Sequence, residues 1–176
     1  MRGGCTERSA RSVGLFEYRS DLARFPLDAE TGGAGGTTRP VAELSADAFD
    51  AIVVADGQAP MFTFEGATEL QRLFVAFFEA GKVTAALCHG VALLRYARLS
   101  TGELLAKGPT GFANVEEDFA DNTVWEMGAL PRGRHLMPWR IEDEMRALGA
   151  NYVQAGLWRD FAVRDGNLIT GQQNFS

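Results

Sequence analysis

The segment VTAALCHGVALL, residues 83–94, places a cysteine and a histidine between two apolar runs. Val83–Leu87 is short and apolar, and it contains β-branched residues, as expected of a strand buried on both faces. From Gly90 to Leu99 the apolar pattern predicts a helix. Cys88 and His89 are therefore expected in a tight turn between a strand and a helix, where a glycine gives the backbone room.

The sequence before this turn has the same alternation of strand and helix. Ala51–Ala55 is an apolar run that ends at an Asp-Gly pair, which predicts another buried strand. Residues 68–82 carry apolar side chains at helical spacing, and Gly81 is a typical helix end. This order predicts an α/β fold, with a parallel-rich sheet flanked by helices on both faces.

The last third of the chain predicts two further elements. Residues 140–150 form an amphipathic helical pattern, and residues 161–171 predict a hairpin that turns at Asp165 and Gly166. We expect residues 1–48 to be an irregular or partly disordered segment. Residues 49–176 are then expected to form a single α/β domain.

Composition excludes several classes of protein. The formal net charge is −6 and the isoelectric point is near 5.0, which argues against nucleic-acid binding. No apolar run approaches the roughly 20 residues that a membrane span needs, and the start of the chain does not resemble a secretory signal. The chain has two cysteines, Cys5 and Cys88. One pair is no disulfide framework, so we expect a reducing cytoplasmic location.

Cys88 is a candidate nucleophile because of where the turn places it. The carboxyl ends of parallel strands are where open α/β sheets bind ligands, and a helix N-terminus stabilises a thiolate. The alternative is a structural cysteine that packs as a small hydrophobic residue. His89 favours the nucleophile, because a polar residue interrupts two apolar elements there. The other histidine, His135, is expected to be a solvated loop residue.

The adjacent acids Glu116 and Glu117 have two interpretations. Neighbouring helical residues point about 100° apart, so only one of them can face a given site. Both acids suit the first turn of a helix capped by Asn114. Alternatively, one of them orients the His89 ring. The order of residues leaves this choice open.

Four segments between residues 49 and 176 resemble the ThiJ/PfpI superfamily, which has the flavodoxin-like, class I glutamine amidotransferase-like fold. They are FDAIVVADGQAPM (49–61), KVTAALCHGVALL (82–94), TGFANVEED (110–118) and VRDGNLITGQQNFS (163–176). The adjacent cysteine and histidine resemble the pair found in the branch that contains chaperone-like, glutathione-independent glyoxalases.

The resemblance implies a set of site residues and a reaction. Cys88 would be the nucleophile, His89 its base and Glu117 the acid that pairs with the histidine. The N–H groups of Gly57 and His89 would form an oxyanion hole. The implied activity is glyoxalase III-like conversion of methylglyoxal to lactate, or related deglycation, with a small aldehyde as substrate. No cofactor or metal is implied.

The sequence also departs from the family pattern. Members carry a glutamate after the first strand, whereas here Glu17 lies two places early and Arg19 takes the position of the acid. The domain looks shortened at both ends, so we expect the chain to form a homodimer or to be poorly stable. These departures favour the alternative of a non-catalytic stress protein, either a holding chaperone or a cysteine redox sensor. The apolar segment Ala59–Phe64 would then be a partner surface rather than a lid or core.

Overall fold

The computed structural model describes residues 12–15, 39–55, 57–174 and 176, and its centre is a five-stranded sheet. The strand order is β1-β2-β3-β5-β4, in which β1, β2, β3 and β5 are parallel and β4 is antiparallel to β5. The strands are β1 (Ser12–Leu15), β2 (Ala51–Val54), β3 (Val83–Leu87), β4 (Ala162–Asp165) and β5 (Leu168–Gly171). The predicted parallel-rich α/β sheet is confirmed.

Helices flank this sheet. They are α1 (Pro60–Thr63), α2 (Thr68–Glu79), α3 (Asn114–Glu126) and α4 (Ile141–Ala147). Within the described ranges, three segments are 3₁₀ helices: Val41–Glu43, Ala46–Ala48 and Cys88–Arg95. The last of these, the Cys88–Arg95 helix, begins directly after β3 and is buried over nearly all its length. Each buried valine or leucine of such a segment stabilises the fold by about 1.5–3 kcal/mol.

Strand register brings the carboxyl ends of the central strands to one edge. Val54 of β2 pairs with Ala86 of β3, and Leu87 pairs with Gly171 of β5. Cys88 follows Leu87 directly, so it lies at the carboxyl edge of the parallel sheet. This is where the alternation of strands and helices predicted it.

The two faces of the central strands are not equally buried. Ile52 and Val54 of β2 are fully buried in the core, as are Ala86 of β3 and Leu168 of β5. On the other face, Val83 and Ile169 are exposed. The prediction of a β3 strand buried on both faces is therefore wrong for one face.

Several predicted boundaries change in the structure. The helix expected from Gly90 to Leu99 starts two residues earlier and ends at Arg95. In the hairpin, Asp165 pairs with Leu168, so the turn residues are Gly166 and Asn167 rather than Asp165 and Gly166. The Asp165 carboxylate instead accepts hydrogen bonds from the backbone N–H groups of residues 107 and 108, at 3.0 and 3.3 Å.

The expectation for residues 1–48 needs a correction. Ser12–Leu15 is a strand that pairs in parallel with β2, so the N-terminal segment contributes to the sheet. Its four residues include serine and glycine, and such a short stretch has no apolar run that would mark it as a strand. Residues 39–48 contain two 3₁₀ turns, and the rest of the segment lies outside the described residues.

Candidate active site

Cys88 has an unusual backbone conformation. Its φ of 54° makes it one of two non-glycine residues with positive φ in the described ranges. A residue with a Cβ in this region is strained, typically by about 1–3 kcal/mol, and such strain is concentrated at functional sites. The conformation is the one expected of a nucleophile at a sharp strand-to-helix turn.

Gly90 explains why the chain can turn so tightly here. A Cβ added to this residue would lie 2.6 Å from the Val54 oxygen and 2.5 Å from the Ala55 oxygen. The turn therefore packs directly against the end of β2, and only glycine fits. On the other side, the N–H of Phe112 donates to the Cys88 carbonyl at 3.3 Å.

His89 links the thiol to a carboxylate. Its Nδ1 lies 3.6 Å from the Cys88 Sγ, and its Nε2 lies 3.0 Å from Oε1 of Glu117. The side chains of His89 and Glu117 are only 5% and 3% exposed. In the tautomer with the proton on Nε2, this nitrogen donates to the Glu117 carboxylate and Nδ1 presents a lone pair to the sulfur. The prediction that Glu117, rather than Glu116, reaches His89 is confirmed.

The start of α3 differs from the predicted cap. The N-cap residue is Ala113, whose N–H donates to Oε2 of Glu116 at 3.0 Å. Asn114 is instead the first helical residue, and its Nδ2 donates to Asp143. The sequence left two interpretations of these acids open: a helix start with acids in its first turn, or an acid that orients His89. Both are present in the structure. Glu116 supports the helix start while Glu117 faces the histidine.

An aromatic side chain that the sequence did not single out packs on the His89 ring. Phe112 stacks on it with ring centroids 4.2 Å apart and an interplanar angle of 28°. Both residues are buried. Stacking on Phe112 therefore restricts the tilt of the imidazole ring, while the hydrogen bond to Glu117 determines which ring nitrogen faces the sulfur. Phe112 immediately precedes the N-cap of α3, and its position in the TGF segment is the signal that could have identified it.

A second histidine–carboxylate pair joins Asp121 of α3, one turn beyond Glu117, to His135 in the loop that follows the helix. Nδ1 of His135 is 2.6 Å from Oδ2 of Asp121, and Arg140 and the N–H of Leu136 also bind this carboxylate. Burial alone would raise the pKa of Asp121, but hydrogen bonds from these groups hold it below its ordinary value. His135 is more than half exposed, as expected of a loop residue, but it has a fixed partner.

Known proteins share sequence and fold with this chain. No protein-family model matches the chain. A probable glutathione-independent glyoxalase of Schizosaccharomyces pombe is 33% identical over 135 residues, which cover 73% of this chain and 49% of the relative. A glutathione-independent glyoxalase of Saccharomyces cerevisiae is 30% identical over 133 residues, covering 73% and 53%. The crystal structure of glyoxalase III from Candida albicans superposes with a TM-score of 0.62 at 28% identity, covering 76% of this chain and 54% of that one.

The chain resembles these glyoxalases in both sequence and fold. Its similarity to glutathione-independent glyoxalases agrees with the branch that the adjacent Cys88 and His89 predicted. The chain spans about half the length of the curated relatives it matches.

The other family positions are only partly within the described structure. Gly57 has a φ of 114° and lies two residues after Ala55, whose carbonyl contacts the turn at Gly90. The oxyanion role of Gly57 and of the His89 N–H stays a prediction. Glu17 and Arg19, at the family's first-turn acid position, lie outside the described residues.

Two further observations concern metals and membranes. Within the described ranges, no three His, Cys, Asp or Glu side chains are grouped so that they could hold a metal ion. Nor does any described helix combine the length and the apolar character needed to cross a membrane. The apolar segment Ala59–Phe64 is divided: Met61 is buried in the core, whereas Phe62 is exposed.

Proposed function

We propose that this protein converts 2-oxoaldehydes such as methylglyoxal to 2-hydroxy acids such as lactate without glutathione. The observation that carries the proposal is the continuous arrangement of a strained Cys88, an imidazole and a buried Glu117. Nucleophile, base and orienting acid in this order form the general arrangement for covalent catalysis. The names of the relatives, two of them glutathione-independent glyoxalases and one glyoxalase 3, support the substrate class.

The first step is addition of sulfur to the aldehyde. The N-terminus of the Cys88–Arg95 helix and the neighbouring imidazole favour the thiolate form of Cys88. The thiolate attacks the aldehyde carbon, the C=O π bond breaks, and a hemithioacetal oxyanion forms. The N–H groups of Gly57 and His89 would stabilise this oxyanion until it takes from Nδ1 of His89 the proton that the thiol had given up, which frees Nδ1 to act as a base.

The second step moves a proton between two carbon atoms. Nδ1 of His89 removes the hydrogen from the former aldehyde carbon and returns a proton to the adjacent keto carbon. Glu117 stabilises the imidazolium that exists between the two transfers. The hydroxyl proton of the hemithioacetal passes to the former keto oxygen, so the aldehyde carbon is oxidised to a thioester and the keto carbon is reduced to an alcohol. One water then hydrolyses the thioester, which releases lactate and regenerates the Cys88 thiolate.

The same addition chemistry extends to carbonyl adducts on proteins. A thiolate that adds to methylglyoxal can also add to carbonyl groups that methylglyoxal leaves on amines or thiols. Deglycation is therefore a related activity of the same residues. Because the mechanism needs a reduced thiol, we propose a reducing compartment such as the cytoplasm.

We also propose a homodimer as the working state. The exposed Val83 and Ile169 of β3 and β5 are apolar side chains of the kind that subunit contacts cover. Light scattering coupled to size-exclusion chromatography tests this proposal. A single species of about twice the 19.1 kDa chain mass is expected, and a species of one chain mass would contradict it.

The experiment that tests the function is a lactate assay in glutathione-free buffer. Wild-type protein should form lactate from methylglyoxal, and Cys88→Ala should form none. Cys5→Ala is the matched control, since it removes the other thiol and should retain the wild-type rate. If wild-type protein forms no lactate while Cys88 oxidises readily to the sulfinic acid, the glyoxalase proposal fails. A redox sensor or a holding chaperone would then be the better interpretation.

A further inference from the structure

Trp158 is the second non-glycine residue with positive φ in the described chain, at 53°. A bulky aromatic residue is a clear outlier in this region, because its Cβ crowds the backbone. Such strain persists only where surrounding contacts hold the residue in place. The contacts of Trp158 therefore show which groups hold it in this conformation and where its side chain is placed.

Glu116 and Gln172 hold the turn that carries Trp158. The N–H of Trp158 donates to Oε1 of Glu116 at 3.2 Å. Gln172 donates from Nε2 to the same oxygen at 3.0 Å and to the carbonyl of Gly156 at 2.7 Å. Its Oε1 accepts from the N–H of Ala155 at 2.8 Å. The turn is thus fixed both before Trp158 and at Trp158 itself.

Burial of the Glu116 carboxylate costs free energy, because the group loses its contacts with water. Its side chain is 0% exposed, and the ion pairs among the described residues do not include it. A buried carboxylate is costly unless hydrogen bonds replace its water. Three N–H donors do so here, and they come from Ala113, Trp158 and Gln172. The Glu116 side chain therefore joins the start of α3 to two segments that are distant in sequence, at Trp158 and Gln172.

The Trp158 side chain extends a row of aromatic rings from the catalytic histidine to the surface. Phe112, which stacks on His89, has its ring centroid 5.9 Å from that of Trp158. Phe119 lies edge-on to Trp158 at 5.6 Å. Trp158 is 41% exposed and Phe119 is 48% exposed. A tryptophan that served only the core would be buried, whereas this one presents apolar surface beside the site.

We propose that Trp158 and Phe119, the exposed rings of this row, form a subsite for the substituent on the keto carbon of the substrate, with the buried Phe112 packed behind Trp158. The substrates it favours are 2-oxoaldehydes with a flat apolar substituent, such as phenylglyoxal, because aromatic rings pack well against one another. Trp158 is the specificity-determining residue, and Glu116 is a positioning residue that acts through it. This inference rests on the glyoxalase function proposed above.

The test compares two substrates across matched tryptophan variants. For Trp158→Ala, kcat/KM for phenylglyoxal should fall about tenfold, mainly through KM, as expected for loss of an aromatic contact. For methylglyoxal the fall should be less than about twofold, because its methyl group offers little surface to a ring. Trp158→Phe should keep most of the phenylglyoxal activity. The control is Trp125→Phe, which alters a tryptophan outside this row of rings that donates to the carbonyl of Arg134, and it should change the activity on neither substrate.

Glu116→Gln tests the positioning role. A glutamine has one acceptor oxygen in place of two, so it cannot hold both Ala113 and Trp158 as the carboxylate does. We expect a selective loss of phenylglyoxal activity, in the same direction as Trp158→Ala. Equal losses for both substrates in Trp158→Ala, or no loss for either, would overturn the subsite.

A binding measurement keeps this inference separate from the proposed function. Mandelate and lactate are the products expected from phenylglyoxal and methylglyoxal, and calorimetric titration of Cys88→Ala with each needs no turnover. Mandelate should bind about tenfold more tightly than lactate, and Trp158→Ala in the same background should remove the difference. If wild-type protein turns over neither oxoaldehyde but mandelate selectivity depends on Trp158, the glyoxalase function fails and the subsite stands. If mandelate shows no preference, the subsite is wrong. Because phenylglyoxal also modifies arginine side chains, the titration gives the comparison without that reaction.

Discussion

Replacing Glu117 with glutamine removes the charge behind His89 while keeping the size of the side chain. Oε1 of Glu117 lies 3.0 Å from Nε2 of His89, and both side chains are at least nine-tenths buried. A buried hydrogen bond to a charged group contributes about 1.5–3 kcal/mol. If the charge stabilises an imidazolium that forms only during proton transfer, the loss appears in kcat. A barrier increase of this size lowers the rate by about 10- to 150-fold.

Glu116→Gln is the matched variant, because its carboxylate is equally buried and lies one residue away on the same helix. It bonds to backbone and amide groups rather than to His89. We expect its free energy of unfolding to fall by about 1–3 kcal/mol, since a buried donor loses its partner. Its kcat for methylglyoxal should stay within about threefold of wild type, because no charge facing His89 is lost.

The assay is the initial rate of lactate formation at saturating methylglyoxal, with urea unfolding followed on the same preparations. Glu117→Gln should be folded and slow, and Glu116→Gln should be less stable and nearly as fast as wild type. Full kcat in Glu117→Gln would refute the orienting role of Glu117. Equal losses of kcat in the two variants would show that burial, rather than the contact with His89, decides the effect.

Two more predictions concern the turn and the second carboxylate pair. Gly90→Ala places a methyl group 2.5 Å from the Ala55 oxygen, whereas in Gly66→Ala the nearest atom is 3.9 Å away. Urea unfolding should show a loss of about 1–3 kcal/mol for the first, along with most of the lactate activity, and little change for the second; equal stability of the two variants would contradict this. Asp121→Asn tests the lowered pKa of Asp121, whose stabilisation is present above its ordinary value of 3.8 and is lost as the pH falls through the folded-state value. The variant should be less stable than wild type at neutral pH, and the gap should close below about pH 4; a constant gap across the acid range would exclude Asp121 as the titrating group.

Part of this fold was predictable because local patterns decide it. β2, β3 and α2 are continuous apolar or periodic segments, and their predicted limits differ from the structure by only a few residues. Cys88 and His89 were also identifiable, since a polar pair between two apolar elements is expected in the turn that joins them. Helix geometry required that only one of two adjacent acids face the histidine. The family resemblance then selected Glu117.

The remaining features depend on contacts between distant residues. β1 has no pattern of its own and is a strand only because β2 pairs with it. Gln172 meets Glu116 across 56 residues of sequence, and Trp158 meets it across 42. Nothing local marks these partners. Even the N-cap of α3 is an alanine, which has no side-chain acceptor, and the Glu116 carboxylate accepts from its N–H as the N3 residue of a capping box does.

The central claim is that sulfur and imidazole have separate tasks, and His89→Ala tests it most directly. In a Cys5→Ser background, Cys88 is the one remaining thiol, so iodoacetamide alkylation reports on it alone. The same preparation is assayed for lactate formation from methylglyoxal. We predict that the alkylation rate stays within a few-fold of the parent while turnover falls by at least about a hundredfold, the usual contribution of a general acid–base group. Turnover that survives in His89→Ala would contradict the proton shuttle. Alkylation and turnover that fall together would show that His89 serves only to form the thiolate.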